Sequence, residues 1–69
     1  MTDLMSLTRG VIEAQDALKK LHGEKSYGLL IKKMKEKTHN NPQAQIAIFN
    51  DKNMSAEVRL VALATLEEP

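Results

Sequence analysis

The sequence contains no cysteine and no tryptophan, and its only aromatic residues are Tyr27 and Phe49. Without thiols the chain can form neither disulfide bonds nor a thiolate metal site, so its stability must come from packing. The residues left for a core are mainly Leu, Ile, Val, Met and Ala, a composition typical of helical bundles.

Long apolar runs are also absent, and no stretch approaches the roughly 18 to 20 apolar residues of a membrane span. The first residues lack the positive start and the apolar core of a secretory signal peptide. The apolar stripe of residues 25–37 is short and has no Trp or Phe, which disfavours a helix lying on a membrane surface. We therefore expect a cytoplasmic protein with no membrane partner.

With 69 residues, the chain is one domain at most, and a core of that size barely outweighs the entropy of ordering the chain. A partner that buried more apolar surface would therefore stabilise it. The net charge of +1 does not by itself indicate nucleic-acid binding. The charge is unevenly distributed, however, since residues 19–39 contain seven lysines against two glutamates.

An apolar stripe dominates the first part of the chain. Its members recur at steps of three and four residues, which places them on one side of a helix predicted over residues 3–22. Gly23 is expected to end this helix, and Asp16 and Lys20 form a favourable pair four residues apart. Gly10 is either a tolerated surface glycine or a site of close approach. The stripe consists of Leu4, Leu7, Val11, Ala14, Leu18 and Leu21.

A second helix is predicted over residues 25–37, where Tyr27, Leu30, Ile31 and Met34 share one face and lysines fill most of the rest. Leu29 falls opposite that face. It is either a lone exposed leucine or part of a second contact.

Two further helices are predicted, over residues 42–50 and 55–67. Asn41 and Pro42 form a good helix start, and Ser55 can cap the last helix. The alternation within residues 45–49 also permits a short strand, but a lone strand would have no pairing partner. The sequence thus predicts an all-α single domain, a small bundle of three to four short helices.

The last helix is apolar on nearly every side, so it needs either a central position or a partner. We expect its apolar residues to cover the first stripe. In this hypothesis Leu4, Leu7, Val11, Leu18 and Leu21 meet Val58, Leu63 and Leu66, together with Leu30 and Met34.

Catalytic motifs are not found in the sequence. His22 and His39 stand at predicted helix ends 17 residues apart, no Ser-His-Asp set is assembled around either of them, and the glycines form no phosphate-binding loop. We expect no enzyme activity, no cofactor and no metal site.

Weak, non-specific nucleic-acid binding is the alternative function, through phosphate contacts made by lysines. The lysines have no arginine among them and little aromatic surface, so a solvated helix face is the more economical interpretation. The last two helices also invite comparison with a helix-turn-helix, but the second carries only Arg59. The candidate lysines are Lys25, Lys32, Lys33, Lys35 and Lys37.

Protein binding is the preferred function. A marginal size, a coiled-coil-like stripe and an apolar last helix all favour docking on another protein, or self-association as a homodimer. Small chains without catalytic groups often act as inhibitors, chaperones or assembly factors. The candidate contact residues are Leu4, Met5, Leu7, Val11, Ile12, Leu60 and Val61.

Overall fold

The computed structural model describes residues 4–68, with side chains from residue 8 onward. Three α-helices run in the order α1 (Leu4–Thr38), α2 (Pro42–Asn50) and α3 (Ala56–Thr65). Residues 4–68 contain no strand, which confirms the all-α prediction and shows that residues 44–49 are helical. Residue 3, predicted as the start of the first helix, lies outside the described residues.

Helix α1 combines the first two predicted helices and is broken between them at Gly23. This residue has φ 82° and ψ 158°, a conformation that side chains with a Cβ rarely adopt. We call residues 4–22 the N-terminal arm of α1 and residues 24–38 the C-terminal arm. The prediction that Gly23 ends the first helix is confirmed, although the chain resumes a helical conformation at the next residue.

The end of α1 is closed by a Schellman motif. The amide of Asn40 donates to the Lys35 carbonyl at 2.8 Å, and that of His39 donates to the Glu36 carbonyl at 3.4 Å. His39 and Asn40 both have positive φ, 53° and 52°. Because glycine is the usual residue at the first of these positions, His39 adopts this backbone conformation at a steric cost.

Both predicted helix caps are confirmed. The Asn41 Oδ1 accepts a hydrogen bond from the Gln43 amide at 2.9 Å, and Pro42 occupies the first turn of α2. The Ser55 Oγ accepts from the Val58 amide at 3.2 Å at the start of α3. These side chains satisfy amides that have no partner within their own helix.

Helix α3 occupies the centre of the fold. Its residues from Val61 to Thr65 are all buried, and the helix packs against both α1 and α2. The apolar character of α3 on nearly every side is thus explained by cover from within one chain. The buried apolar core consists of Val11, Ala14 and Leu18 from the N-terminal arm, Tyr27, Ile31 and Met34 from the C-terminal arm, and Val61, Ala62, Leu63 and Ala64 from α3.

The prediction that Leu21 joins this core is wrong, since its side chain is 73% exposed. At about 100° per residue, Leu21 points about 60° away from Leu18. His22 lies on the opposite side of Leu18 from Leu21, and its side chain reaches α3 instead. The break at Gly23 then redirects the chain, so the stripe does not continue along α3.

A small buried polar cluster joins α1 to α2. Gln45 is 1% exposed, and its Nε2 donates to the Thr38 Oγ1 at 3.2 Å. The Thr38 hydroxyl in turn donates to the Met34 carbonyl at 2.7 Å. Since a buried polar group is costly without a partner, this cluster fixes the corner between the two helices.

Candidate protein-binding groove

An open groove of about 220 Å³ lies between the C-terminal arm of α1 and helix α3. Its apolar lining comes from Leu30 and Met34 on α1 and from Val58 and Val61 on α3. Met34 and Val61 also belong to the core, whereas Leu30 and Val58 are half-buried and pack at its margin. The groove is therefore a place where the core reaches the surface between two helices.

Charged side chains border the groove unequally. Lys33 and Lys37 line it from the C-terminal arm, and Glu57 lines it from the first turn of α3. The Glu57 Oε1 lies 2.9 Å from His22 Nε2, in a contact that does not meet the geometry of a hydrogen bond. The border thus presents two cations against one carboxylate that already has a basic neighbour.

The protein-binding candidates from the sequence fall in different environments. Val11 and Val61 are buried at 1% and 4% exposure, Leu60 is half-buried, and Ile12 is 57% exposed. Of these, only Val61 lines the groove. The side chains of Leu4, Met5 and Leu7 lie outside the described residues.

Other large apolar side chains are exposed away from the groove. Leu29, which the sequence placed opposite the apolar face, is 56% exposed, and Ile46 on α2 is 39% exposed. Together with Ile12 and Leu21 they are distributed over both arms of α1 and over α2. Singly exposed apolar residues are common on protein surfaces and do not define a site.

The lysine candidates for nucleic-acid binding all belong to the C-terminal arm. Lys35 is half-buried and has a partner of its own. Only Lys33 and Lys37 line the groove, which leaves two exposed lysines elsewhere on the arm. The exposed members of the set are Lys25, Lys32, Lys33 and Lys37.

Arg59, the positively charged residue of α3, has a structural role. The Arg59 Nε donates to the Phe49 carbonyl at 2.7 Å, and the guanidinium lies 5.8 Å from the centre of the Phe49 ring. Arg59 thereby ties the last turn of α2 to α3 and satisfies a helix-terminal carbonyl. A role in reading bases as part of a helix-turn-helix gains no support from this arrangement.

Tyr27 links the C-terminal arm to the end of α3. Its hydroxyl donates a hydrogen bond to the Glu68 carboxylate, and the Lys19 ammonium lies 5.2 Å from the centre of its ring. Burial, followed by the hydrogen bond and the negative charge of Glu68, raises the pKa of Tyr27 well above its usual value. The neutral tyrosine is therefore the form that the folded chain favours.

Within residues 4–68, no three His, Asp or Glu side chains are grouped so that they could hold a metal ion. In the same part of the chain, no helix has both the length and the apolar character needed to cross a bilayer. Lys20 Nζ lies 2.9 Å from Asp16 Oδ2, as predicted, but this pair is exposed and contributes little.

The sequence predicts the apolar face of the C-terminal arm and places Leu30 and Met34 in the core, whereas in the structure both also line the groove. Lys33 and Lys37 lie one helical turn apart beside that face, but nothing in the sequence indicates that α3 leaves part of the face open. The sequence matches no protein family, and neither a curated protein nor a solved structure matches the chain. The groove and its charges are accordingly the observations from which a function is proposed.

Proposed function

We propose that the chain is a small non-enzymatic protein-interaction module, of the inhibitor, chaperone or assembly-factor type, whose partner docks in the groove. The observation that carries this proposal is the composition of the groove: apolar side chains from two helices, open to solvent, with charged residues at the border. Apolar pockets with polar rims are where protein interfaces place their energetically dominant contacts.

The size of the groove favours a protein partner over a small molecule. Pockets that enclose drug-sized ligands usually measure about 300 to 1,000 Å³. The groove, at about 220 Å³, is smaller and open. It suits anchoring side chains from a larger surface, whose remaining contacts lie outside the groove.

A different chain is favoured over a second copy of this one. The core residues of the described part of the chain are buried by contacts within one chain, so their burial does not require a second copy. In a symmetric dimer the same surface meets itself, so the two grooves would bring together the Lys33 and Lys37 of both copies against only one Glu57 from each, an excess of positive charge. Like charges brought together in this way cost free energy.

Weak binding of nucleic acid remains the second candidate, supported by the exposed lysines of the C-terminal arm. Such binding would depend on the number of lysines rather than on their position, and it would weaken steeply with salt. Replacing Lys25 and Lys32 should then be as harmful as replacing Lys33 and Lys37.

Site-specific photocrosslinking in cells that produce the protein would test the proposal. A photoreactive residue is placed at Lys33, beside the groove, or at the exposed Gln43 on α2 as the matched control. We expect protein adducts from position 33 that are absent or much weaker from position 43. Equal labelling from both positions, adducts with nucleic acid alone, or no adduct from position 33 would each overturn the proposal.

A further inference from the structure

We infer that the segment seated in the groove is an amphipathic α-helix of another protein that carries acidic residues beside its apolar stripe. The inference rests on the proposed function, since it names the chemistry of the partner at that same site. Three properties of the groove lead to it: the elements that form it, the free charges on its border, and the nature of its apolar lining.

The groove is formed by two helices, and this favours a helical occupant. An extended peptide binds chiefly by adding a strand to the edge of a sheet or, when proline-rich, by packing on aromatic side chains; residues 4–68 contain no sheet, and no aromatic residue lines the groove. The alternative mode of peptide recognition lays the apolar face of a helix into a groove, with anchors at spacings of three and four residues. Docking of a helix by its apolar face therefore fits the groove between α1 and α3.

The border of the groove favours acidic residues on that helix. Lys33 and Lys37 are exposed, and no carboxylate of residues 8–68 lies within ion-pair distance of either. They are four residues apart, and a helix rises about 1.5 Å per residue, so their separation along α1 is about 6 Å. Two carboxylates four residues apart on a helix lying along α1 would have the same spacing.

The lining of the groove favours aliphatic anchors. Leu30, Val58 and Val61 provide branched apolar side chains, and Met34 adds a flexible, polarisable one that can adapt to its contact. The leucine and valine side chains offer no hydrogen bond, the methionine sulfur is a weak acceptor, and Ser55, which also lines the groove, already accepts from the Val58 amide. A leucine-type stripe would thus supply the affinity, while the acidic neighbours would supply orientation and selectivity.

Synthetic helical peptides provide the test, with binding to the full chain followed by fluorescence anisotropy. The first peptide carries leucines at i, i+3, i+4 and i+7 with glutamates beside them. The second replaces the leucines by alanine and keeps the glutamates, and the third keeps the leucines and replaces the glutamates by lysine. We expect the first to bind at least roughly tenfold more tightly than either of the others, which corresponds to 1.4 kcal/mol.

Two charge-reversed proteins show whether the position of the lysines matters. Lys33→Glu with Lys37→Glu should weaken binding of the first peptide roughly tenfold and improve binding of the lysine peptide. Lys25→Glu with Lys32→Glu changes the net charge equally but lies outside the groove, and it should leave the first peptide within a factor of about two to three. Circular dichroism shows that each variant is folded before its binding is measured.

Several outcomes would overturn the inference. Equal binding of the alanine peptide would show attraction by charge alone, and equal binding of the lysine peptide would show that the border does not select charge. Equal losses in the two charge-reversed proteins, or displacement of the peptide by a DNA oligonucleotide, would indicate a general polyanion surface. If no peptide binds but position 33 still crosslinks to protein, the inference fails while the proposed function stands; if both fail, the groove is not a docking site.

Discussion

The hydroxyl of Tyr27 donates a hydrogen bond to the carboxylate of Glu68, and this contact joins the C-terminal arm of α1 to the residues that follow α3. It connects positions 41 residues apart in a chain that has no disulfide to link them. Because Tyr27 is also buried, its ionisation is coupled to folding.

Stability should fall as the pH rises above the ordinary tyrosine pKa of about 10. The pKa of Tyr27 is raised by burial first and by Glu68 second, so the unfolded chain loses the proton at a lower pH than the folded chain. The stabilisation is fully present below about pH 10 and is lost progressively above it. Denaturation of the wild type and of Tyr27→Phe across this range should show a steeper alkaline loss in the wild type.

The titration itself can be observed directly, because the chain has one tyrosine and no tryptophan. Tyrosinate absorbance should appear well above the pH at which an unfolded control titrates. Glu68→Gln should lower the pKa of Tyr27 only in part, since burial is the larger cause. Titration at the ordinary tyrosine value would show that Tyr27 is neither buried nor in contact with Glu68.

Substitutions in the buried part of the stripe on the N-terminal arm should reduce stability far more than substitutions at its exposed end. Leu18 is fully buried, so Leu18→Ala is expected to cost about 2 to 5 kcal/mol, enough to unfold a domain of this size. Leu21→Ala makes the same chemical change at a side chain that is 73% exposed, and it should stay within about 0.5 kcal/mol. Equal effects in urea denaturation would contradict the position assigned to either leucine.

Replacing either of two glycines of α1 by alanine should change the stability of the fold, in opposite directions. Gly28 lies in a regular helical segment with no atom within 4 Å of an added Cβ, so Gly28→Ala should stabilise the fold by about 1 kcal/mol. Gly23 has equal space but a φ of 82° with a ψ of 158°, a region essentially restricted to glycine, and Gly23→Ala should destabilise the fold by about 1 to 3 kcal/mol. If both substitutions stabilise, α1 is a continuous helix through residue 23.

A glycine at position 39 should stabilise the C-terminal end of α1. His39 holds a positive φ of 53° in the Schellman motif, where a residue without Cβ meets no steric cost. We expect His39→Gly to raise the free energy of unfolding by about 1 kcal/mol. Asp51→Gly, at a helix end with an extended φ of −79°, is the control and should not stabilise.

Local signals in the sequence predicted the helices well. Asn41 with Pro42, and Ser55, indicated the starts of α2 and α3 because a cap acts within one turn and needs no information from the rest of the fold. Gly23 likewise indicated the break in α1. The end of α1 near residue 37 was predicted too, but its Schellman motif was not, because histidine rather than glycine occupies the position with positive φ.

Features that depend on how helices pack were less predictable. Leu21 fits the periodic stripe, but α3 is oriented so that His22 faces α3 and Leu21 is exposed. The groove could not be predicted from one helix either, since its lining combines Leu30 of α1 with Val58 of α3. Periodicity identifies an apolar face, but it does not show which part of that face a neighbouring helix covers.

The central claim is that one chain covers its own core and leaves the groove for a different protein. Thermal denaturation over a wide range of protein concentration, with the molar mass measured in solution, tests it most directly. We expect a melting temperature independent of concentration and a mass equal to one chain of 7.7 kDa. The opposite result, a melting temperature that rises with concentration and a mass of two chains, would show that a second copy completes the core or occupies the groove.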